Sequence, residues 1–210
     1  MRGEFYMARL TDRDKRCYDY LVSTRLPCSS SDLAKLFYHT GNPSSEVVIC
    51  NRRLKVMKEL QYVDQYPRKF GTENIFYVGS KPNEKTLRHR LLFTHVIATI
   101  ATNGFDVDFK SIEIEKQLLD GELRCDVFMT ISYNNKKYQL IIECDTSKTF
   151  NVNGYTKLIN QLKKGEIKFD YPLLILSVCD FKIEDEIKKY VIQVKTDLSD
   201  FEKLKYQFIR

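Results

Sequence analysis

Two β-forming segments on either side of residues 134–135 constrain the fold more than any other feature of this 210-residue chain. Residues 123–133 and 137–144 are rich in branched and aromatic side chains, and the Asn-Asn pair between them suits a two-residue hairpin turn. A polar helix over about 153–165 follows, and then an apolar strand over about 172–178. A helix over 197–208 is predicted to close the chain. A hairpin, a crossover helix and a parallel strand predict an α/β (α+β) domain with a sheet of mixed direction.

Upstream of this sheet the chain has the pattern of three helices and a hairpin. The first helix begins at Thr11 and the second at the serines before Asp32, because hydroxyl and carboxylate side chains cap helix N-termini. A third helix is predicted over about 44–60, and two short strands enclose a basic turn at 67–73. This order predicts a winged helix-turn-helix domain over residues 8–80, whose third helix enters the major groove of DNA. Residues 79–83 (GSKPN) have the composition of a linker, so the domain boundary is predicted there.

The predicted third helix has one apolar and one polar face. Val47, Cys50, Leu54 and Met57 share the face that packs on the core. The polar face and the basic turn supply the predicted DNA contacts, which are Ser45, Arg52, Arg53, Lys55, Lys58, Arg68 and Lys69. Apolar residues on the outer face, such as Val48, fit either thymine methyl groups or a protein partner.

The charge of the chain is uneven. Residues 1–83 contain 14 Lys and Arg against 9 Asp and Glu, a net charge of +5, whereas residues 84–210 contain 20 against 19. A basic first portion indicates a polyanionic partner, for which double-stranded DNA is our prediction. There is no apolar run of the roughly 20 residues that span a bilayer, and no secretory signal. We therefore expect no membrane contact and a cytoplasmic location on DNA.

The sequence contains few recognisable catalytic or metal-binding motifs. The six cysteines form no C-x-x-C pair and the three histidines are not spaced for zinc, so buried free thiols are expected and no cofactor is predicted. Three carboxylates remain as candidates: Asp126 in LRCDVFM, and Glu143 and Asp145 in LIIECDTS. Strand pairing would bring them together, where they could bind a divalent cation or face a basic partner such as Arg124.

The succession of an Asp strand, a Glu strand and a helix resembles the PD-(D/E)XK nuclease fold. In that fold an Asp and a Glu hold Mg²⁺, and a Lys two residues after the Glu positions or activates the attacking water. Here Asp145 occupies the position of that Lys, and a carboxylate cannot stabilise the developing negative charge on a phosphate. Lys157 on the following helix is a candidate for a displaced lysine, or an ordinary exposed helix residue.

Over about residues 8–165 the chain also resembles the replication-relaxation family of plasmids, phages and integrative elements. The resemblance lies in LTDRDKRCYDYL, SSDLAKLF, NRRLKVMKELQYV, LRHRLLFTHVIATI, ELRCDVFM and LIIECDTSKTF. It implies a winged helix over 8–80 followed, over 84–210, by a restriction-endonuclease-like domain that need not cleave DNA. It also implies an accessory role in replication, mobilisation or transcription of a mobile element.

Three functions follow from these observations. The first is a DNA-binding regulatory protein with a non-catalytic second domain, which contacts a replication or mobilisation protein or forms a homodimer. The second is a DNA-nicking endonuclease that uses Mg²⁺ bound by Asp126, Glu143 and Asp145. The third is a protein-interaction module. The missing lysine favours the regulatory protein over the endonuclease. The basic residues of the helix over 44–60 favour the regulatory protein over the protein-interaction module.

Overall fold

The computed structural model describes residues 10–67, 73–144 and 150–208, which belong to two compact units. The units are Met1–Thr102 and Asn103–Arg210. None of the helices in the described ranges combines the length and apolar content needed to cross a lipid bilayer.

Within its described residues, the first unit contains four helices and a small antiparallel sheet. Its elements are α1 (Asp12–Thr24), β1 (Cys28–Ser29), α2 (Ser30–Phe37), α3 (Pro43–Glu59), β2 (Asp64–Gln65), β3 (Ile75–Tyr77) and α4 (Glu84–Thr102). The sheet has the strand order β1-β3-β2, and both pairings are antiparallel. The three predicted helices and the strand pair are confirmed, and β1 is an additional short strand that the sequence analysis missed.

The helix starts of the first unit follow from their capping residues. Thr11 and Asp14 form a capping box at the start of α1, in which each side chain accepts a hydrogen bond from the other residue's backbone N–H. The Ser29 hydroxyl accepts from the N–H of Asp32 at 3.1 Å and caps α2. These local interactions explain why the sequence pattern predicted the helix starts closely.

The helix α4 belongs to the first unit, so the boundary between the units lies after Thr102 rather than at the predicted linker of residues 79–83. The Thr94 hydroxyl donates to the Pro27 carbonyl oxygen at 3.2 Å, and Nδ1 of His95 lies 2.9 Å from Oδ1 of Asp32. Because these contacts join residues more than 60 positions apart, linker composition alone did not indicate them.

The second unit is built on a five-stranded mixed sheet. Its elements are β4 (Asp106–Leu118), β5 (Leu123–Tyr133), β6 (Lys136–Cys144), α5 (Val152–Lys164), β7 (Leu173–Val178), α6 (Asp185–Lys188), β8 (Val191–Val194) and α7 (Lys203–Tyr206). The order is β4-β5-β6-β7-β8, antiparallel as far as β6 and parallel from β6 to β8. The predicted mixed sheet is therefore confirmed, and its hairpin turn has Asn134 and Asn135 in the left-handed conformation.

The sequence analysis missed one strand of the second unit, and one helix that it predicted there was wrong. Strand β4 was not predicted, although DVDFKSIEIEKQL alternates polar and apolar residues as a half-buried strand does. A single helix was predicted over 197–208, but only α7 is helical there. Asp197 and Asp200 accept hydrogen bonds from the backbone N–H groups of Ser199 and Lys195, which favours turns over a continuous helix.

The six cysteines are buried and free, as predicted. The core of the second unit joins the inner face of the sheet to α5, through residues such as Phe128, Ile141, Tyr155 and Leu158. This packing places α5 directly over the strands that carry the predicted carboxylates.

Candidate nucleic-acid interface and carboxylate pair

The outer face of α3 is the first candidate site. Asn42 caps this helix by accepting a hydrogen bond from the N–H of Ser45 at 3.3 Å. Cys50, Leu54 and Met57 recur at helical spacing and are fully buried, so the opposite face is left to solvent. The exposed residues of α3 include Ser45, Val48, Arg52, Lys55, Lys58 and Glu59.

Val48 interrupts this polar surface with an apolar side chain that is 57% exposed. It precedes Arg52 by four residues, so the two side chains lie on the same side of the helix one turn apart. Two other aliphatic residues of this helix, Ile49 and Val56, are only half-exposed. The exposed surface of α3 therefore combines hydroxyl, aliphatic and cationic groups within a few turns.

Arg53 does not belong to this exposed surface. Its Nε lies 3.1 and 3.2 Å from the two carboxylate oxygens of Asp14, and one terminal nitrogen lies 2.5 Å from Oδ2. The Asp14 side chain is completely buried, and that of Arg53 is 26% exposed. This ion pair joins α1 to α3, so we leave Arg53 out of the candidate interface.

Asp14 is the centre of a buried polar network. Besides Arg53, the Tyr38 hydroxyl donates to it at 2.8 Å and the Thr11 N–H at 2.7 Å. Burial by itself would raise the pKa of Asp14, but the hydrogen bonds from Arg53, Thr11 and Tyr38 outweigh it and lower that pKa below its usual range. The network thus keeps a buried carboxylate ionised and fixes the position of α3.

The turn before α3 is held by a second buried carboxylate. Oε1 of Glu46 accepts from the N–H groups of Thr40 and Gly41 at 2.7 and 2.9 Å, and lies 2.9 Å from Nδ1 of His39. The hydrogen bond from Thr40, followed by those from Gly41 and His39, lowers the pKa of Glu46. The loop between α2 and α3 therefore has a defined conformation set by one side chain.

A chain of side-chain amides connects α3 to the strand pair. Nδ2 of Asn74 donates to Asn51 at 2.8 Å, Nε2 of Gln65 donates to Asn74 at 2.9 Å, and Nζ of Lys58 donates to Gln65 at 3.0 Å. Lys58 is therefore exposed but directed toward β2. The predicted contacts Arg68 and Lys69 lie outside the described residues.

The second candidate site is a pair of carboxylates on neighbouring strands. Val127 pairs with Ile142, and continuing this register by one residue places Asp126 opposite Glu143. Oδ2 of Asp126 accepts from the N–H of Cys144 at 2.8 Å, which holds the carboxylate at the end of β6. The predicted proximity of Asp126 and Glu143 thus follows from strand pairing.

Tyr155 of α5 is a partner that the sequence analysis missed. Its side chain is fully buried and its hydroxyl donates to Oε1 of Glu143. Burial raises the pKa of Tyr155, and the negative charge of Glu143 raises it further, so the phenol stays protonated and acts as a donor. A tyrosine on the apolar face of a predicted helix was the available signal, since a buried hydroxyl requires a partner.

The cationic residues predicted near the carboxylates are directed elsewhere. Nζ of Lys157 forms an ion pair with Glu122, and Tyr155 lies two residues earlier, about 200° around the helix. Arg124 is exposed, and within the described ranges no ion pair joins it to Asp126 or Glu143. We therefore assign neither Lys157 nor Arg124 to the carboxylate pair.

The third predicted carboxylate, Asp145, lies outside the described residues. Among the residues that the structure does describe, no group of three or more His, Cys, Asp or Glu side chains is arranged to hold a metal ion. The donor set within these ranges is two carboxylates, each already accepting a hydrogen bond from within the unit. Two such oxygen donors fit part of a Mg²⁺ site, which commonly completes its coordination with water.

Comparison with known proteins adds no family to this picture. No protein-family model matches the chain, and a search of the curated proteins finds no match to it.

Proposed function

We propose that this chain is a DNA-binding accessory or regulatory protein of a mobile element. Its first unit would bind double-stranded DNA as a winged helix-turn-helix, in the cytoplasm. The observation that carries this proposal is the outer face of α3, where Ser45, Val48, Arg52 and Lys55 are exposed on a helix that buried networks hold in place. The mobile-element role rests on the resemblance to the replication-relaxation family.

The topology of the first unit supports the proposal. The order α1-β1-α2-α3-β2-β3, with β1 paired to β3 of the hairpin, agrees with the order expected of a winged helix. In that arrangement α3 occupies the major groove and the loop between β2 and β3 contacts the phosphate backbone. The net charge of +5 over residues 1–83 adds the attraction to a polyanion.

A salt titration of duplex binding tests this proposal. Lys55, Arg68 and Lys69 amount to about three phosphate contacts, so log affinity should fall against log salt with a slope near −2.7. A matched Glu59→Gln variant removes a carboxylate of the same helix and should bind more tightly without losing the salt dependence. A slope near zero would instead favour the protein-interaction function, with Val48 in the contact.

The side chains of α3 also suggest what the helix reads. Val48 is an exposed aliphatic group suited to a thymine methyl, and Arg52 one turn later is suited to guanine O6 and N7. Replacing thymine by deoxyuridine in a selected binding site should weaken the wild-type protein but leave Val48→Ala unaffected. Equal losses for both proteins would show that Val48 does not contact a methyl group.

For the second unit we propose a nuclease-like domain that does not cleave DNA. The order β4-β5-β6-α5-β7 supports the nuclease-like assignment, because three antiparallel strands are followed by a helix and a strand parallel to β6. The absence of a lysine two positions after Glu143 argues against cleavage, and Lys157 pairs with Glu122. Such a domain would serve contact with a replication or mobilisation protein, or with a second copy of the chain.

A metal-dependent nicking endonuclease is the second candidate function. It is favoured by one observation, the adjacency of Asp126 and Glu143 on paired strands. Under this function the two carboxylates would hold Mg²⁺, which supplies Lewis-acid stabilisation of the phosphate. Under the non-cleaving proposal, supercoiled DNA incubated with the full chain in Mg²⁺ or Mn²⁺ should stay intact. Nicking by the wild type that Glu143→Gln abolishes would replace the non-cleaving proposal.

A further inference from the structure

A separate cavity in the second unit lies between α5 on one side and α6 with the two residues that follow it on the other. Its volume is about 150 Å³. The polar residues that line it are Thr156, Asn160, Lys163, Glu186, Lys189 and Tyr190. Thr156, Asn160 and Lys163 recur at helical spacing, so α5 presents one polar stripe to this cavity.

Two lysine ammonium groups converge on one tyrosine at the cavity. Nζ of Lys163 lies 2.5 Å from the Tyr190 hydroxyl oxygen and 4.5 Å from the ring centroid. Nζ of Lys189 lies 5.1 Å from the same centroid. Both ammonium groups lie against the same aromatic ring, so the cavity carries two positive charges that would stabilise a negative group placed there.

Other lysines of α5 have a negative counter-charge nearby, but Lys163 does not. Lys157 forms an ion pair with Glu122, and Nζ of Lys164 lies 3.7 Å from Glu166. Among the described residues, neither Lys163 nor Lys189 has a carboxylate oxygen within 4.0 Å, although Glu186 lines the same cavity. The positive charge at the cavity is therefore incompletely neutralised by the unit itself.

The behaviour of Tyr190 agrees with this excess of positive charge. The hydrogen bond from Lys163, together with the positive charges of Lys163 and Lys189, lowers the pKa of Tyr190 below that of an ordinary phenol. A local field that favours a phenolate also favours a bound anion.

We propose that this cavity binds a phosphate group, held by Lys163 and Lys189 as cationic donors, with the polar side chains of Thr156 and Asn160 as neutral ones. Ammonium groups form charge-assisted hydrogen bonds to phosphate oxygens, and a tetrahedral anion accepts from several directions at once. The phosphate could be free in solution or part of a nucleic-acid strand, and both sources offer the same oxygens. The site lies in the second unit and does not depend on DNA binding by α3.

The first experiment titrates the full chain with inorganic phosphate and follows the lysine side-chain resonances by NMR. We expect saturable shifts of Lys163 and Lys189. Lys163→Ala and Lys189→Ala should each weaken binding at least tenfold, whereas Lys164→Ala, a matched lysine on the same helix, should leave it unchanged. Circular dichroism of each variant checks that it is folded.

Two results would overturn the proposal. One is the absence of saturable binding of inorganic phosphate. The other is an equal loss of binding in Lys164→Ala, because that would indicate general attraction to a basic surface. A short single strand with a 5′ phosphate, compared with the same strand without it, then identifies the source. Preference for the phosphorylated strand assigns the site to a strand end, and binding of inorganic phosphate alone assigns it to the free anion.

Discussion

The charged groups of α3 are exposed to solvent, whereas those of the β5–β6 pair are hydrogen-bonded within their own unit. Arg52 and Lys55 extend from α3 into solvent, whereas Asp126 and Glu143 accept hydrogen bonds from a backbone N–H and from Tyr155. Internal donors reduce what a carboxylate can offer to a ligand, because each bond occupies one of its roughly four lone-pair positions. The exposed side chains of α3 therefore keep their hydrogen-bond donors available to a ligand, while the carboxylate pair contributes to the structure of its own unit.

The largest expected effect is on the network that holds α3. Asp14→Ala leaves Arg53 and the Tyr38 hydroxyl without their shared acceptor in a buried site, so the free energy of unfolding should fall by about 3 kcal/mol. Asp12→Ala, in the same helix, removes an almost fully exposed carboxylate and should change it by less than about 0.5 kcal/mol. Urea denaturation of both variants measures the difference. Similar losses would mean that α3 is not held by Asp14.

The neighbouring arginines of α3 separate binding from stability. Arg52→Ala should weaken binding to a selected DNA site by about 1–3 kcal/mol, because the exposed guanidinium is directed away from the core. It should leave the free energy of unfolding almost unchanged. Arg53→Ala should instead lower the free energy of unfolding and have the smaller direct effect on DNA affinity, since Arg53 is the partner of buried Asp14. Fluorescence anisotropy and urea denaturation of both variants test this. A DNA-binding loss confined to Arg53→Ala would contradict the proposed interface.

A smaller effect is expected at the carboxylate pair. Tyr155→Phe removes the hydroxyl that donates to the half-buried Glu143, and the loss of this hydrogen bond to a charged acceptor should lower the free energy of unfolding by about 1–2 kcal/mol. Tyr206→Phe is the matched control because its side chain is 57% exposed, and it should be neutral. Thermal and urea denaturation give the values. Two neutral variants would indicate that Glu143 is not held by Tyr155 and would strengthen the nuclease alternative.

The smallest effect is a pH dependence in the first unit. The pKa of Asp14 is lower in the folded chain than its unfolded value of about 3.9. The stabilisation is therefore complete above about pH 4 and is lost as the pH falls through the folded pKa, since unfolding takes up a proton there. Asp14→Asn cannot titrate, so its free energy of unfolding should fall less steeply below pH 4 than that of the wild type. If the free energies of unfolding of the two proteins fell in parallel with pH, the pKa of Asp14 would not be lowered by folding.

Much of the fold was predictable because its signals are local. The strand Leu123–Tyr133, the turn at 134–135 and the helix over 44–60 are each set by side chains within a few positions, and the structure confirms them. Strand β4 had an equally local signal in its alternation, which the sequence analysis overlooked. The boundary after Thr102 had none, because it depends on contacts of α4 with residues near position 30.

The candidate sites divide in the same way. Strand periodicity and the hairpin register brought Asp126 and Glu143 together from the sequence alone, since pairing of neighbouring strands fixes which residues are opposite. The Tyr155 hydroxyl could not be assigned to Glu143 in advance, because the crossover helix can rotate over the sheet by one residue and present another side chain. The pairing of Lys157 with Glu122 has the same origin.

The sequence by itself determined the order of the helices and strands, the polar and apolar faces of α3, and the basic character of the first portion. These properties depend on capping, periodicity and composition, which act within a few residues. Only the tertiary structure decided which charges are free to meet a ligand. It pairs Arg53 with Asp14 but leaves Arg52 in solvent, and it pairs Lys164 with Glu166 but directs Lys163 to Tyr190. The physical reason is that an ion pair depends on which elements pack together, and adjacent residues of a helix point about 100° apart.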